Sequence, residues 1–256
     1  MSRMDLHKFN GRTYPECNFI HIPENLLKNI LTFWQYFVLY VSEYGISGTG
    51  NRKKANLKAV KMDCFKEISH YNIREAKPTP AKCALLVIDM QQYFQSIASP
   101  IIGNVISIVE ACRSRNMRII FTRHGHSDIS KDGSMLYKWW GDFIQYGSKD
   151  WELIKAIQPG DYDAVLDKNR YSAFHGTTLD KSLQSIKIEE LIITGVLTNC
   201  CCETTARDAF VRDYRVFFAG DATATANEEL HLASLKNLAF GFAHILSTDQ
   251  ICDYLI

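Results

Sequence analysis

From Cys83 to the end of the chain, short unbroken apolar runs alternate with longer stretches in which apolar residues recur at helical spacing. The runs are Ala84–Ile88 (ALLVI), Arg118–Thr122 (RIIFT), Ala164–Leu166, Leu191–Val196 (LIITGV), Val216–Ala219 (VFFA) and Ala243–Leu246. Runs of this length without polar alternation suit strands buried on both faces. Helical spacing falls between them, over 102–116, 149–157, 178–186, 203–213 and 227–239. Strand–helix alternation of this kind predicts right-handed crossovers and an α/β fold, with a parallel sheet covered by helices. Such open sheets carry their sites beyond the carboxyl ends of the strands, so chemistry is to be sought there.

The first 76 residues lack this rhythm. They hold an apolar stretch, Ile30–Val41, and a turn-rich stretch, Gly45–Asn51. The apolar stretch falls short of the roughly 20 residues that span a bilayer, which predicts a buried or interfacial helix. Lys77-Pro78-Thr79-Pro80 refuses helix and reads as a stiff connector. The expected division is therefore residues 1–76 as an extension and 77–256 as the alternating domain.

Composition narrows the partners. A hydrophobic share of 46% with 22% charged residues belongs to a soluble globular chain, and a net charge of +1 points to neither nucleic acid nor an acidic membrane. The basic cluster Arg52, Lys53, Lys54, Lys58 and Lys61 reads as a solvated face. The eight cysteines include no CxxC pair and three in a row, Cys200 to Cys202, which fits neither a disulfide framework nor a structural zinc site. A reducing compartment is the simpler inference. With no signal-peptide pattern at the N-terminus, the cytoplasm is the expected location.

Three chemical groups fall at strand ends. Asp89 follows the first run, Lys168 the third, and the cysteine run the fourth, after Gly195-Val196-Leu197-Thr198-Asn199. Singly, each has a bland reading: a helix cap, a solvated lysine, a small buried hydrophobe. Together they predict a covalent hydrolase. A thiol is activated as its thiolate, which a neighbouring cation and a helix N-terminus near Glu203 both favour. Asp89 accepts the thiol proton, passes it to a departing amine and then activates water. Backbone N–H groups around the Leu197–Cys201 turn are the expected oxyanion donors. These arguments leave open which of the three thiols attacks.

The wording around these groups is more specific. Ile88-Asp89-Met90-Gln91 with Phe94, Lys168 with Tyr171-Ser172-Ala173-Phe174, and Gly195 through Cys201 continuing as Glu203-Thr204-Thr205-Ala206-Arg207-Asp208-Ala209 resemble the isochorismatase-like cysteine hydrolases over about 175 residues. That resemblance implies a Rossmann-like three-layer sandwich with a mostly parallel six-stranded sheet, and a catalytic triad of Asp89, Lys168 and Cys201. It selects Cys201, which lies six residues after Gly195, and leaves Cys200 and Cys202 as packing residues. It further implies a cis peptide between Val196 and Leu197, with the N–H groups of Leu197 and Cys201 forming the oxyanion hole, and it implies a homo-oligomer.

Within the family, Tyr171 to His175, Asn199 to Arg207 and Asp221 to His231 are most similar to plant nicotinamidases. The implied reaction is hydrolysis of nicotinamide to nicotinate and ammonia, a step of NAD salvage, with Phe94, Trp139, Trp140 and Phe174 sandwiching the pyridine ring. Many microbial nicotinamidases carry an Asp-x-His…His metal site after the second strand. Here that place reads Thr122-Arg123-His124-Gly125-His126, which lacks the Asp and a third His close behind, so no metal and no cofactor are expected. Arg123, His124 and His126 could instead meet a carboxylate, which fits a ureido or N-carbamoyl acid. Two further readings are hydrolysis of isochorismate and a catalytically silent family member. A vinyl ether such as isochorismate needs no thiol, so Cys201 counts against the first, and the intact triad counts against the second.

Overall fold

The computed structural model describes residues 64–256. The expectations for Ile30–Val41, Gly45–Asn51 and the basic cluster at 52–61 lie outside the described residues. The domain is built on six strands: β1 Cys83–Ile88, β2 Arg118–His124, β3 Ala164–Lys168, β4 Glu190–Val196, β5 Arg215–Ala224 and β6 His244–Leu246. They pair in the order β3-β2-β1-β4-β5-β6, and every pairing is parallel. The sequence implies a mostly parallel sheet; this one is parallel throughout.

Because successive side chains on a strand point to opposite faces, the apolar runs feed two cores, except that of the edge strand β3, where Ala164 and Leu166 pack on the first core and Val165 is exposed. From β1, Ala84, Leu86 and Ile88 enter one core, while Cys83, Leu85 and Val87 enter the other. Helices α1 (Ile102–Ser114) and α6 (Thr248–Leu255) cover the second face through Val105, Ile108, Val109, Ile251 and Leu255. On the first face lie α3 (Leu179–Ser185), α4 (Glu203–Phe210) and α5 (Glu228–Gly241), burying Leu179, Leu183, Ala206, Leu235 and Leu238. At about 1.5–3 kcal/mol for each fully buried Leu, Ile or Phe, these two layers supply the main drive to fold. The three-layer sandwich is as expected.

Two local features depart from the expected elements. Residues 149–157 are irregular, although their spacing predicts a helix. Their backbone is paired elsewhere: Ile154 N–H donates to Met90 O at 2.8 Å and Gln92 N–H to Glu152 O at 2.8 Å, tying the segment to the loop after β1. A helix that the apolar spacing does not predict, α2 (Ser134–Trp140), follows β2 and closes on Gly141, whose φ of 68° ends it in the left-handed region. Ahead of the Pro-rich connector, Cys64 and Ile68 are buried in the first core. The Asn72 side chain pairs with Ile245, donating from Nδ2 to Ile245 O at 2.7 Å and accepting Ile245 N–H at 3.1 Å. Its amide thereby occupies the free edge of β6, an edge that would otherwise offer unpaired groups to another strand.

The strand order has a reversal between β1 and β4. Chains leave those two neighbours toward opposite sides, which opens a crevice at their carboxyl ends.

Candidate active site

Asp89 leaves β1 and the Thr198–Cys202 turn leaves β4, side by side at this crevice; Lys168, the last residue of β3, reaches across from the sheet's edge. The approach of the two central strands is permitted by Gly195. Its φ is 111°, and a Cβ there would sit 2.0 Å from Ile88 O. Asp89 itself has a φ of 49° and is fully buried. That conformation is tolerated because Thr122 grips the residue twice: Asp89 N–H donates to Thr122 Oγ1 at 3.1 Å, and Thr122 Oγ1 donates to Asp89 Oδ1 at 2.6 Å.

The second carboxylate oxygen faces Lys168. Lys168 Nζ lies 2.7 Å from Asp89 Oδ2, 3.0 Å from Arg170 O and 3.4 Å from Cys201 Sγ, so all three ammonium protons are engaged. Burial works against the lysine's charge, but Asp89 and then Cys201 outweigh it, and its pKa is raised. Asp89, Lys168 and Cys201 thus meet as the spacing implies. Cys202 is packed in the first core with its Sγ toward Thr194 O, and the half-buried Cys200 turns toward Tyr171.

One electrostatic expectation is reversed. A lysine and a helix N-terminus are expected to lower the thiol's pKa. Burial instead pushes Cys201 well above the ordinary thiol range; Lys168 opposes this, while the charge of Asp89 and the hydrogen bond to it add to the rise. Burial and the nearby carboxylate thus hold the thiol's proton more tightly than in an ordinary cysteine.

The peptide between Val196 and Leu197 is cis, as the resemblance implies. Leu197 is half-buried, and its carbonyl accepts from both Cys200 N–H and Cys202 N–H at 3.1 Å, which folds the nucleophile segment into a single wide π turn before α4.

The aromatic residues separate. Phe94 is half-buried against the second core and packs edge-to-face on Tyr93, 4.9 Å between centroids. Trp140 donates from Nε1 to Tyr171 OH at 2.7 Å. Trp139, expected to stack on the substrate, is 76% exposed. Phe174, also expected to stack on the substrate, is packed in the first core near Tyr214 with the Arg212 guanidinium over its ring. Tyr171 to Phe174 is fastened to α4 by Ser172 Oγ donating to Asp208 Oδ2 at 2.6 Å and Ala173 N–H to Thr205 Oγ1 at 3.1 Å. Thr122 and Gln91 hold the site although no sequence signal marks them for that role. Gln91 clamps the His124 backbone from both sides, accepting its N–H at 2.8 Å and donating to its carbonyl at 2.9 Å.

The histidine pair does not make a cation site. His126 Nδ1 is 3.2 Å from Asp132 Oδ1, and the two rings meet edge-to-face at 5.1 Å. Among the described residues, no three His, Cys, Asp or Glu donors converge in a way that would hold a metal ion. The donor set does not fit a resident metal. His124 Nδ1 is sealed from solvent without a partner. Burial, then the charge of Lys168, lowers this imidazole's pKa to about 3 from 6.5, against a partly offsetting pull from Asp89. Between these two values the unfolded chain binds a proton at His124 that the folded chain refuses, so stability rises with pH across that window and is lost as pH falls. The urea midpoint is expected to drop from about pH 6.5 to about pH 4, less steeply in His124→Gln than in wild type. Equal slopes in the two proteins would show that this imidazole does not carry the effect.

A buried thiol, an acid and an ammonium at the switch point of a doubly wound parallel sheet define a cysteine hydrolase. The chain belongs to the isochorismatase family: the sequence profile of the isochorismatase domain matches residues 83–250. It is 48% identical over 185 residues to Nicotinamidase 3 of Arabidopsis thaliana, covering 71% of this chain and 92% of that protein. It is 32% identical over 179 residues to Enterobactin synthase component B of Escherichia coli (strain K12), covering 67% of this chain and 63% of that longer protein. A cysteine hydrolase from Pseudomonas syringae pv. phaseolicola 1448A superposes with a TM-score of 0.68 at 26% identity, covering 71% of this chain and 95% of that one. With these relatives, the thiol triad makes the chain a hydrolase of amide C–N bonds.

Proposed function

We propose that the protein hydrolyses nicotinamide to nicotinate and ammonia. The observation that carries this reading is the 48% identity with a nicotinamidase, spanning 92% of its length. In this reading Cys201 Sγ attacks the amide carbonyl as Asp89 takes its proton. The oxyanion is met by the N–H groups of Leu197 and Cys201. Asp89 delivers the proton to the nitrogen, the C–N bond breaks, and ammonia leaves a Cys201 thioester. Asp89 then removes a proton from water, which attacks the thioester; collapse frees the thiol and releases nicotinate. Lys168 remains charged throughout, holding Asp89 at 2.7 Å and offsetting negative charge beside the sulfur.

An acidic ureido or N-carbamoyl substrate would need a free cation at the end of β2, and the groups there are committed. Arg123 pairs with Asp167 at 2.8 and 3.2 Å and lies over the Trp151 ring at 3.6 Å. His126 is held by Asp132, and His124 is neutral at physiological pH. A neutral aromatic amide suits these surroundings better. Purified protein is expected to release ammonia from nicotinamide at least about 100-fold faster than from an N-carbamoyl amino acid, a margin typical of a site that leaves the wrong substrate's charge unpaired. The reverse preference would replace nicotinamide as the substrate.

A further inference from the structure

The nucleophile turn is tied to a second segment as well as to the sheet. Thr198, its first residue, is fully buried, and its Oγ1 lies 2.9 Å from Nδ1 of His231 in the first turn of α5. Asn199 Oδ1 accepts from Thr225 Oγ1 at 2.6 Å. Glu203 Oε2, at the start of α4, accepts from the buried Ser234 Oγ at 2.6 Å. Three side-chain links thus join residues 198–203 to residues 225–234, and none involves Asp89, Lys168 or the Cys201 thiol. Segment 225–234 is itself anchored, because Asn227 Oδ1 caps α5 by accepting Leu230 N–H at 2.8 Å.

We infer that His231 is a positioning residue that holds the oxyanion donors in place through Thr198. The inference rests on the reading above, in which Cys201 attacks an amide and the Leu197 and Cys201 N–H groups receive the oxyanion. Such donors work only if they are fixed before the charge appears. The turn's main chain ties the neighbours of these donors: the N–H groups of Cys200 and Cys202 meet at Leu197 O, and Glu203 N–H returns to Thr198 O and Cys200 O. Thr198 sits between Leu197 and the thiol residue, and its hydroxyl is the first side-chain tie that the turn makes. Removing the tie loosens Thr198, which follows the Leu197 donor and opens the turn that carries the Cys201 donor, while leaving the contacts among Asp89, Lys168 and Cys201 in place. A donor displaced by about 1 Å costs on the order of 100-fold in rate.

The test is a double-mutant cycle on the full chain with Thr198→Val, His231→Ala and the pair, together with His231→Asn, which keeps a short polar nitrogen on the helix. Expected are falls in kcat on nicotinamide of about 10- to 100-fold for each single variant with KM within about twofold. The double variant should be no slower than the worse single, and His231→Asn should recover a large part of the loss. Losses that multiply in the double variant, a KM rise at constant kcat, or full kcat in His231→Ala would each overturn the inference. If His231→Ala does not fold, Thr198→Val and His231→Asn decide by the same kcat and KM criteria. A wild type inert toward nicotinamide would overturn the substrate reading alone. The cycle would then be read on the burst of p-nitrophenolate from p-nitrophenyl acetate, which acylates the thiol through the same oxyanion. A burst slowed about 10- to 100-fold in the variants supports His231, and equal bursts overturn it.

Discussion

Cys201→Ala is expected to reduce ammonia release from nicotinamide by at least about 10⁴-fold, because removing a nucleophile leaves only binding and oxyanion stabilisation. Cys200→Ala and Cys202→Ala should each stay within about tenfold of wild type, the range of a small packing change rather than of lost chemistry. The contrast follows from position: of the three adjacent thiols, only Cys201 accepts from Lys168 Nζ, at 3.4 Å, beside the ion pair with Asp89. Cys201→Ser should be as inactive as the alanine variant, since a hydroxyl holds its proton far more tightly than a thiol and Asp89 is a weak base. The check is a fixed-time ammonia assay on all four variants, with urea midpoints measured on the same preparations. Activity surviving in Cys201→Ala, with folding intact, would move the nucleophile elsewhere.

Lys168→Met should be the most destabilising change in the site. Both side chains of the Lys168–Asp89 pair are fully buried, and removing one partner leaves an uncompensated charge in a medium that cannot hydrate it. Breaking such a pair costs about 3–5 kcal/mol, whereas neutralising both partners is far better tolerated. The double variant Asp89→Asn with Lys168→Met should therefore be more stable than Lys168→Met alone, while both remain inactive. Guanidinium unfolding of Lys168→Met, Asp89→Asn and the double variant decides this. Destabilisation that simply adds in the double variant would mean that the two charges do not depend on one another in the fold.

How much of the fold and site is legible in the sequence depends on how local each signal is. Unbroken runs such as ALLVI announce a strand buried on both faces without reference to anything distant; all six strands coincide with apolar runs, though the edge strand β3 leaves Val165 exposed. The 149–157 segment misleads because its helical spacing is real, but its backbone partners, Met90 and Gln92, lie some 60 residues earlier in the chain. Helix α6 carries a readable start in Ser247-Thr248-Asp249-Gln250, a reciprocal capping box, yet is too short for its apolar spacing to stand out. The triad is legible because each member occupies a strand end, where the fold class fixes the direction of projection. The surroundings of Trp139 and Phe174 are not, because stacking on a ligand and packing in a core demand the same residue type; only tertiary placement separates a Trp that is mostly exposed from a Phe sealed against Tyr214. Thr122 and Gln91 escape for a related reason: their partners, Asp89 and His124, are 33 residues away.

The resting state of the thiol has a bearing on durability. Peroxide and electrophiles attack thiolates, and their damage tracks thiolate content and access. Cys201 is only 6% exposed and burial makes its proton harder to lose, so an idle enzyme presents them little to attack. Reactivity is raised only during turnover, when proton transfer to Asp89 and the substrate's arrival coincide. The same burial that makes the nucleophile weak on its own thus preserves it in an oxidising episode, and places the hazard in the working cycle rather than in storage.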